Sequence, residues 1–320
     1  MVEQRLGRLE KVNLRNIWTH ESSQFTPWLA EEENLRLLSE TIGITLDLDS
    51  IEKEVGSFFA DILCKDEDDR WVVIENQLER TDHKHLGQIF TYGAGLKASV
   101  VIWIAAQFTD EHIAALDWLN EITDESVSFF GVEVEVWRIG NSPAAPKFNV
   151  VSQPNDWSRG VTAGTTKEIT PAKLLQLRFW QQFAEFLEMN SSKIKPGDPS
   201  AKSHMLFSLG RSKFSLAASA SFYNSETQSF DSNEIRVDVI LRYESAKDYL
   251  KELLEEKEQI EEEFGVPLTW YSSETGWRCR IYTRKEVNLR NEGDWPNQHQ
   301  WLKENLEKMD QVFRRRIQAL

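Results

Sequence analysis

The chain has 320 residues, of which 40% are hydrophobic, and its formal net charge is −15. This composition excludes a disordered or fibrous protein, and the length allows two domains of ordinary size. The longest apolar run, residues 100–106, is far shorter than the roughly 18 residues that a membrane-spanning helix needs. Residues 1–14 contain no apolar segment typical of a signal peptide. We therefore expect a cytoplasmic protein with no membrane partner.

The negative charge is concentrated in the first half of the chain. Residues 1–150 carry 13 Lys and Arg against 27 Asp and Glu, a net charge of −14, whereas residues 151–320 carry 24 against 25. An acidic domain repels phosphate unless metal ions intervene. If a nucleic acid binds, we expect the second half to hold it, and the basic run at 314–316 is one candidate.

The first half has the pattern of a mixed α/β domain. A helix is expected from Thr26 to Gly43, because Thr suits an N-cap, Pro27 suits the first helical position and Gly suits a helix end. Alternating or continuous apolar patterns predict five strands, at residues 51–55, 58–64, 71–78, 99–106 and 126–139. Helices are expected at residues 82–96 and 111–122. Three strands in a meander followed by helix–strand alternation indicate a mixed sheet.

The second half has the pattern of an α+β domain. A stretch rich in Pro, Asn, Ser and Gly marks a linker, which we place at residues 151–170 between a first domain at 1–150 and a second at 171–320. Helices are expected at residues 171–189, 246–264 and 297–317. Strands are expected at residues 214–222, 235–243, 268–271 and 277–283.

Two acidic residues interrupt neighbouring apolar strands of the first half. Asp61 lies in one predicted strand and Glu75 in the next. A carboxylate in a strand core is costly unless it is paired or bound to a cation. Strands joined by a hairpin bring such groups together, and a divalent ion relieves their repulsion. Because side chains alternate along a strand, Gln77 lies on the same face as Glu75.

These residues resemble the motif of the PD-(D/E)XK nuclease superfamily. Asp61 is followed by Glu75-Asn76-Gln77 at the end of an apolar strand, and the next helix has the form Gln88-x-x-x-Tyr92, as in RecB-like and NucS-like members. The second half resembles a bacterial domain of unknown function that recurs behind this nuclease-like unit. The resemblance implies a mixed-sheet nuclease-like domain followed by an α+β domain.

The resemblance also implies roles for individual residues. Asp61, Glu75 and the backbone carbonyl of Asn76 would hold Mg²⁺ or Mn²⁺, and Gln77 would position the attacking water. Gln88 and Tyr92 would support the site. Further candidates near it are Glu54, Glu40 and His85.

Residue 77 departs from the family pattern. The family usually has a lysine there, whereas Gln77 can hydrogen-bond a water but carries no charge. We expect a metal-dependent nuclease that hydrolyses phosphodiester bonds in DNA, in the restriction, repair or phage-defence settings that the family implies.

Two alternatives remain open. One is a catalytically inactive module that keeps the nuclease fold and binds nucleic acid or protein. The uncharged Gln77 and the acidic first half favour this alternative. The other is a subunit whose second half docks a protein partner or a second copy of the chain, with activity only in the assembly.

Overall fold

The computed structural model describes residues 7–55, 58–123, 127–154, 171–224, 227, 232–242, 245–273 and 276–320. The predicted linker therefore lies outside the described residues from residue 155 onward. The chain divides into two compact units. The first unit comprises Met1–Asp66 and Trp71–Lys167, and the second comprises Glu67–Arg70 and Glu168–Leu320. The second unit thus includes four residues that the sequence places within the first domain.

The first unit is built on a seven-stranded mixed sheet in the order β1-β6-β5-β4-β3-β2, with β7 also paired to β6. Strands β2, β3 and β4 form an antiparallel meander, whereas β4-β5 and β5-β6 are parallel. Both β1 and β7 run antiparallel to β6. The predicted mixed α/β architecture is confirmed. The strands are β1 (Leu9–Val12), β2 (Asp47–Val55), β3 (Phe58–Lys65), β4 (Trp71–Asn76), β5 (Val100–Ala105), β6 (Ser128–Ile139) and β7 (Ala145–Ser152).

Two capped helices make the crossovers between the parallel strands. The side chain of Asp82 accepts from the His85 N–H at the start of one helix, and Thr109 caps the other in the same way through the His112 N–H. These caps satisfy backbone donors that have no partner within the helix. The helices of this unit are α1 (Thr26–Leu29), α2 (Glu32–Ile42), α3 (His83–Leu96) and α4 (Asp110–Ile122).

The first predicted helix differs from the expectation at its start. Thr26 was expected as the N-cap, but it lies inside α1, and its buried hydroxyl accepts from the Asn76 side chain. The segment is two helices, because the chain leaves helical hydrogen bonding between α1 and α2. The predicted end is confirmed, since Gly43 is the C-cap of α2 with a left-handed φ of 72°.

The second unit is an α+β layer structure, as predicted. Its five-stranded sheet is antiparallel throughout, in the order β11-β12-β10-β9-β8. The strands are β8 (His204–Ser208), β9 (Phe214–Ser221), β10 (Asn233–Leu241), β11 (Thr269–Ser272) and β12 (Cys279–Val287). The helices are α5 (Pro171–Met189), α6 (Ala246–Glu255), α7 (Lys257–Phe264) and α8 (Trp295–Ala319). The single helix expected at 246–264 is therefore divided at Glu256.

The two faces of this second sheet differ in chemistry. On β10, Ile235, Val237 and Val239 belong to the apolar core that also contains side chains of α5 and α8. The alternate residues of β10 point to the opposite face, as the strand period requires, and they include buried charged side chains. Among the described residues of both units, no helix is long and apolar enough to cross a membrane.

Candidate active site

Asp61 and Glu75 lie opposite each other on neighbouring strands. Ile62 of β3 pairs with Ile74 of β4, so Asp61 and Glu75 occupy the next opposed positions of this register. The backbone N–H of Asn76 donates to Asp61 Oδ2 at 2.8 Å, and the backbone N–H of Asp61 donates to the Glu75 carboxylate. Each carboxylate is thus fixed by the backbone of the other strand.

Burial makes negative charge unfavourable on both groups. Burial is the largest cause that raises the pKa of Glu75, and the charges of Asp61 and Glu52 raise it further. The pKa of Asp61 is also raised, first by burial and then by Glu52, although the Asn76 N–H opposes this shift. The pair therefore retains protons to a higher pH than ordinary carboxyl groups do.

The donor set fits a hard divalent cation. Glu75 Oε2 is buried and accepts no hydrogen bond from the described residues, and an uncompensated buried oxygen of this kind is costly unless a donor or a cation satisfies it. Mg²⁺ is usually held by one or two carboxylates with waters completing its shell. The described residues contain no group of three or more His, Cys, Asp or Glu that could hold a metal. Any ion here would depend on Asp61, Glu75, backbone oxygens and water.

The side chain of Asn76 points away from the carboxylates. Its Nδ2 donates to Thr26 Oγ1 at 3.0 Å, which ties the end of β4 to α1. The sequence assigns a metal-binding role only to the backbone carbonyl of Asn76, and this side-chain bond helps to fix the backbone there.

Gln77 follows β4 directly, and its amide is fully engaged by the protein. Its Oε1 accepts from Trp103 Nε1 at 2.9 Å. Its Nε2 donates to the Arg80 carbonyl at 2.9 Å and lies 3.4 Å from Asp82 Oδ2. The residue is 1% exposed. In this arrangement Gln77 joins β4 to β5 and to the start of α3.

Gln88 and Tyr92 lie together on α3 and face the acidic pair. Gln88 Nε2 donates to the Tyr92 hydroxyl at 3.1 Å. Burial raises the pKa of Tyr92 most, and the charges of Glu75 and Asp61 add to this effect. Gln88 Oε1 is buried without a hydrogen-bond donor among the described residues. Tyr92 is therefore close enough to the two carboxylates to feel their charge, and Gln88 is hydrogen-bonded to it.

The three additional candidates are placed differently. His85 Nδ1 lies 2.8 Å from Asp82 Oδ2, so this imidazole belongs to the cap of α3. Glu40 is exposed on α2, where its carboxylate lies 3.9 Å from Arg36. Glu54 is exposed on β2 opposite Phe59. No contact in the described part of the chain brings any of the three to Asp61 or Glu75.

A third acid that the sequence analysis did not identify is Glu52. It lies on β2 opposite Asp61, between the register pairs Ile51–Ile62 and Lys53–Ala60. Its φ is 51°, a left-handed conformation that is strained for a residue with a side chain. Its charge raises the pKa of both Asp61 and Glu75.

One cation acts on the same two groups. Lys84 lies in the first turn of α3, two residues after the Asp82 cap, and its charge lowers the pKa of both Asp61 and Glu75. The sequence gives little signal for this role, because Lys84 stands between two histidines in an exposed stretch. A positive charge therefore acts on the two carboxylates even though residue 77 is uncharged.

Comparisons with known proteins match separate parts of the chain. Residues 175–317 match the model of a family described as a domain of unknown function, DUF4268, in agreement with the resemblance of the second half. No curated protein matches the chain.

Two solved structures show limited likeness. A repair endonuclease from Pyrococcus abyssi is 20% identical, with a TM-score of 0.27, over 32% of this chain and 44% of that one. A structure described as an EndoMS–dsDNA2 complex is 21% identical, with a TM-score of 0.26, over 34% of this chain and 43% of that one. The matched region spans less than half of either neighbour. Likenesses at this level do not transfer an activity, a substrate or a metal to this chain.

Proposed function

We propose that the first unit is a metal-dependent nuclease that hydrolyses phosphodiester bonds in DNA. The observation that carries this proposal is the opposed pair of Asp61, which is half-buried, and Glu75, which is buried. Backbone N–H groups hold both carboxylates, and Glu75 Oε2 has no hydrogen-bond donor among the described residues. Buried carboxylates with raised pKa values concentrate at functional sites. Among the described residues, no arginine or lysine is recorded in hydrogen-bond contact with this pair, and such a pair is suited to a cation.

In this proposal Asp61, Glu75 and the Asn76 carbonyl would hold Mg²⁺ or Mn²⁺. Such an ion, when bound, activates water and stabilises charge on phosphate oxygens. Lys84 supplies a positive charge toward the negatively charged substrate. Gln88 and Tyr92 would support the site through their mutual hydrogen bond, and Gln77 holds the end of β4 in place through Trp103.

The test is a cleavage screen of the full-length protein with single-stranded, double-stranded and branched DNA and with RNA, in Mg²⁺, Mn²⁺ or chelator. Asp61→Ala and Glu75→Ala should each abolish cleavage, whereas Glu121→Ala, which removes an exposed acid at the end of α4, should leave it unchanged. Cleavage that survives both of the first two substitutions would place the chemistry elsewhere.

A catalytically inactive nuclease-fold module is the second candidate. The hydrogen bonds of the Gln77 amide favour this candidate. The usual family pattern has a lysine at this position, whereas Gln77 connects β4 to Trp103 of β5 and to the Arg80 carbonyl. The same experiment separates the two candidates. An absence of cleavage by the wild-type protein, together with a melting temperature that does not respond to Mg²⁺, would favour the inactive module.

A further inference from the structure

A cluster of buried charges lies on the face of the second sheet that is turned away from its apolar core. Arg236 of β10 and Arg280 of β12 belong to it, with Arg278 immediately before β12. The three guanidinium side chains are only 2–5% exposed. Two acids of β10, Glu234 and Asp238, lie among them and are equally buried. Buried cations at this density require anions close by.

The three arginines converge on a single carboxylate, that of Asp69, which belongs to the same unit. Arg278 Nη2 lies 2.6 Å from Asp69 Oδ1, and Arg236 Nη1 lies 2.7 Å from Asp69 Oδ2. Arg280 Nη1 also donates to Asp69 Oδ2. One carboxylate oxygen therefore serves two guanidinium groups.

The backbone at Asp69, which makes these contacts, has a left-handed conformation. Its φ is 65°, in the left-handed region that costs a residue with a side chain free energy. A glycine would adopt this turn without strain. The turn thus keeps a carboxylate at a position where the backbone favours glycine.

Among the three arginines and the acids recorded in ion pairs with them, the charges balance when Asp69 is counted. Three arginines face Glu234, Asp238 and Asp69, so the six groups sum to zero. Arg284 adds a further cation at 3.3 Å from Glu234, and Glu286 offsets it electrostatically. Burial and the neighbouring Arg278 lower the pKa of Arg280, which reflects repulsion between the cations. Without Asp69, the five remaining groups would carry an excess of one positive charge.

A phosphate group has the charge and shape to replace that carboxylate. A phosphodiester carries one negative charge on two non-bridging oxygens, and guanidinium forks bind such oxygens with two parallel hydrogen bonds. The guanidinium group of Arg236 is already oriented, because its Nε donates to Asp238 Oδ2 at 3.0 Å and the group lies 5.4 Å from the centre of the Tyr282 ring. A tetrahedral phosphate also offers more acceptor positions to three guanidinium groups than a carboxylate does.

We propose that Arg236, Arg278 and Arg280 form a phosphate-binding site and that Asp69 occupies it as an internal competitor. This inference goes beyond the proposed function, and it does not depend on cleavage by the first unit. The ligand chemistry is shared by free phosphate and by a nucleic-acid phosphodiester. Because Asp69 is tethered beside the arginines, a phosphate ligand binds more weakly than the site itself would allow.

The test uses the full-length protein and the variant Asp69→Gly, which removes the carboxylate and suits the left-handed turn. Melting temperature is measured in inorganic phosphate and in chloride at matched ionic strength, and then with a short DNA oligonucleotide in chloride. Asp69→Gly should melt lower than wild type in chloride and recover in phosphate. Its apparent dissociation constant for phosphate should be at least about tenfold tighter than that of wild type.

Two controls make the result specific. Asp68→Gly removes an acid of the same turn, one that lies 3.2 Å from Arg70, and it should respond to phosphate as wild type does. Adding Arg280→Gln to Asp69→Gly should abolish the phosphate response. A response to the oligonucleotide but not to inorganic phosphate, or the reverse, identifies the source of the phosphate group and supports the site in either case.

The proposal is overturned if Asp69→Gly shows no more stabilisation by phosphate or DNA than Asp68→Gly does. It is also overturned if Asp69→Gly stays unfolded in phosphate as well as in chloride, because the cluster would then accept only the aspartate.

Discussion

At the scale of single residues, the charged form of Glu75 is strongly disfavoured in the first unit. Its side chain is buried at the end of an apolar strand, and Asp61 and Glu52 add negative charge around it. The carboxyl group can be neutralised by a proton or by a bound cation. These two solutions respond in opposite ways to pH, and this difference makes the site testable without knowledge of a substrate.

The first prediction concerns stability without metal. The folded-state pKa values of Glu75 and Asp61 lie above the unfolded values of about 4, so the folded state binds more protons than the unfolded state does. Their contribution to stability is present below pH 4 and is lost as pH rises through the raised values. Glu75→Gln should remove most of this loss, so the variant should gain melting temperature relative to wild type as pH rises from 5 to 8.

In the wild type only, Mg²⁺ should oppose the loss of stability that occurs as pH rises. Because the ion displaces protons from the ligands, its stabilising effect should grow with pH and should be absent in Glu75→Gln. A difference between wild type and variant that stays constant from pH 5 to 8, with and without Mg²⁺, would contradict the raised pKa values.

The second prediction concerns Lys84, whose charge acts on both carboxylates. Lys84→Gln should reduce cleavage about 10²-fold, the scale of losing one group that stabilises developing charge. Lys84→Arg should retain a larger part of the activity. Single-turnover cleavage in saturating Mg²⁺ measures both effects.

Lys97→Gln is the matched control, since it removes an exposed lysine from the opposite end of α3. It should cleave as wild type does. Equal losses in Lys84→Gln and Lys97→Gln would show a general effect of net charge and would remove Lys84 from the site.

The residues of the site differ in how far sequence reveals them. Asp61 and Glu75 could be identified because an acid within an apolar strand is costly and therefore conspicuous. Glu52 and Lys84 could not, because each stands in a charged, exposed stretch where solvated side chains are the rule. The engagement of Gln77 depends on Trp103 of β5, a contact that no local pattern encodes.

At the scale of elements, helices with side-chain caps were predictable, whereas strands β1 and β7, which pair with β6, were not. Asp82 and Thr109 mark the starts of α3 and α4 in both sequence and structure. Neither β1 nor β7 has the alternating apolar pattern of a strand. Strand β1 is largely exposed, and β7 contains Pro146, which cannot donate a backbone hydrogen bond. Their hydrogen bonds come from β6, which means that tertiary pairing decides their conformation.

The packing of α8 against α5 leads to the third prediction. His299 of α8 is 3% exposed among aromatic side chains of α5 that include Phe179 and Phe183, and burial lowers its pKa to about 4. The unfolded chain, with a pKa near 6.5, binds the proton first. The stabilising effect of the neutral imidazole is therefore present above pH 6.5 and is lost as pH falls toward 4, by up to roughly 3 kcal/mol.

Hydrogen exchange of the α8 amides between pH 6.5 and 4, corrected for intrinsic exchange rates, measures this loss. His299→Gln should be less stable than wild type at pH 7 and should show a flatter pH profile. An equally steep profile in the variant would assign the pH dependence to another group.

At the scale of the whole molecule, the count of basic residues overstates the positive surface of the second unit. Arg316 is paired with Glu256 and Glu263, and Arg314 is paired with Asp310. Within the run at 314–316, Arg315 is exposed, whereas Arg314 and Arg316 are half-buried. A net charge per half is readable from sequence, but the share of cations already neutralised within the fold depends on which strands and helices meet.

The membership of Glu67–Arg70 in the second unit also affects how the chain can be divided. A fragment that starts at residue 171 would contain Arg236, Arg278 and Arg280 but would lack the aspartate that they share. Its sequence is continuous and its apolar core is whole. A cut within the Pro- and Gly-rich stretch would therefore separate Asp69 from the three arginines that it contacts.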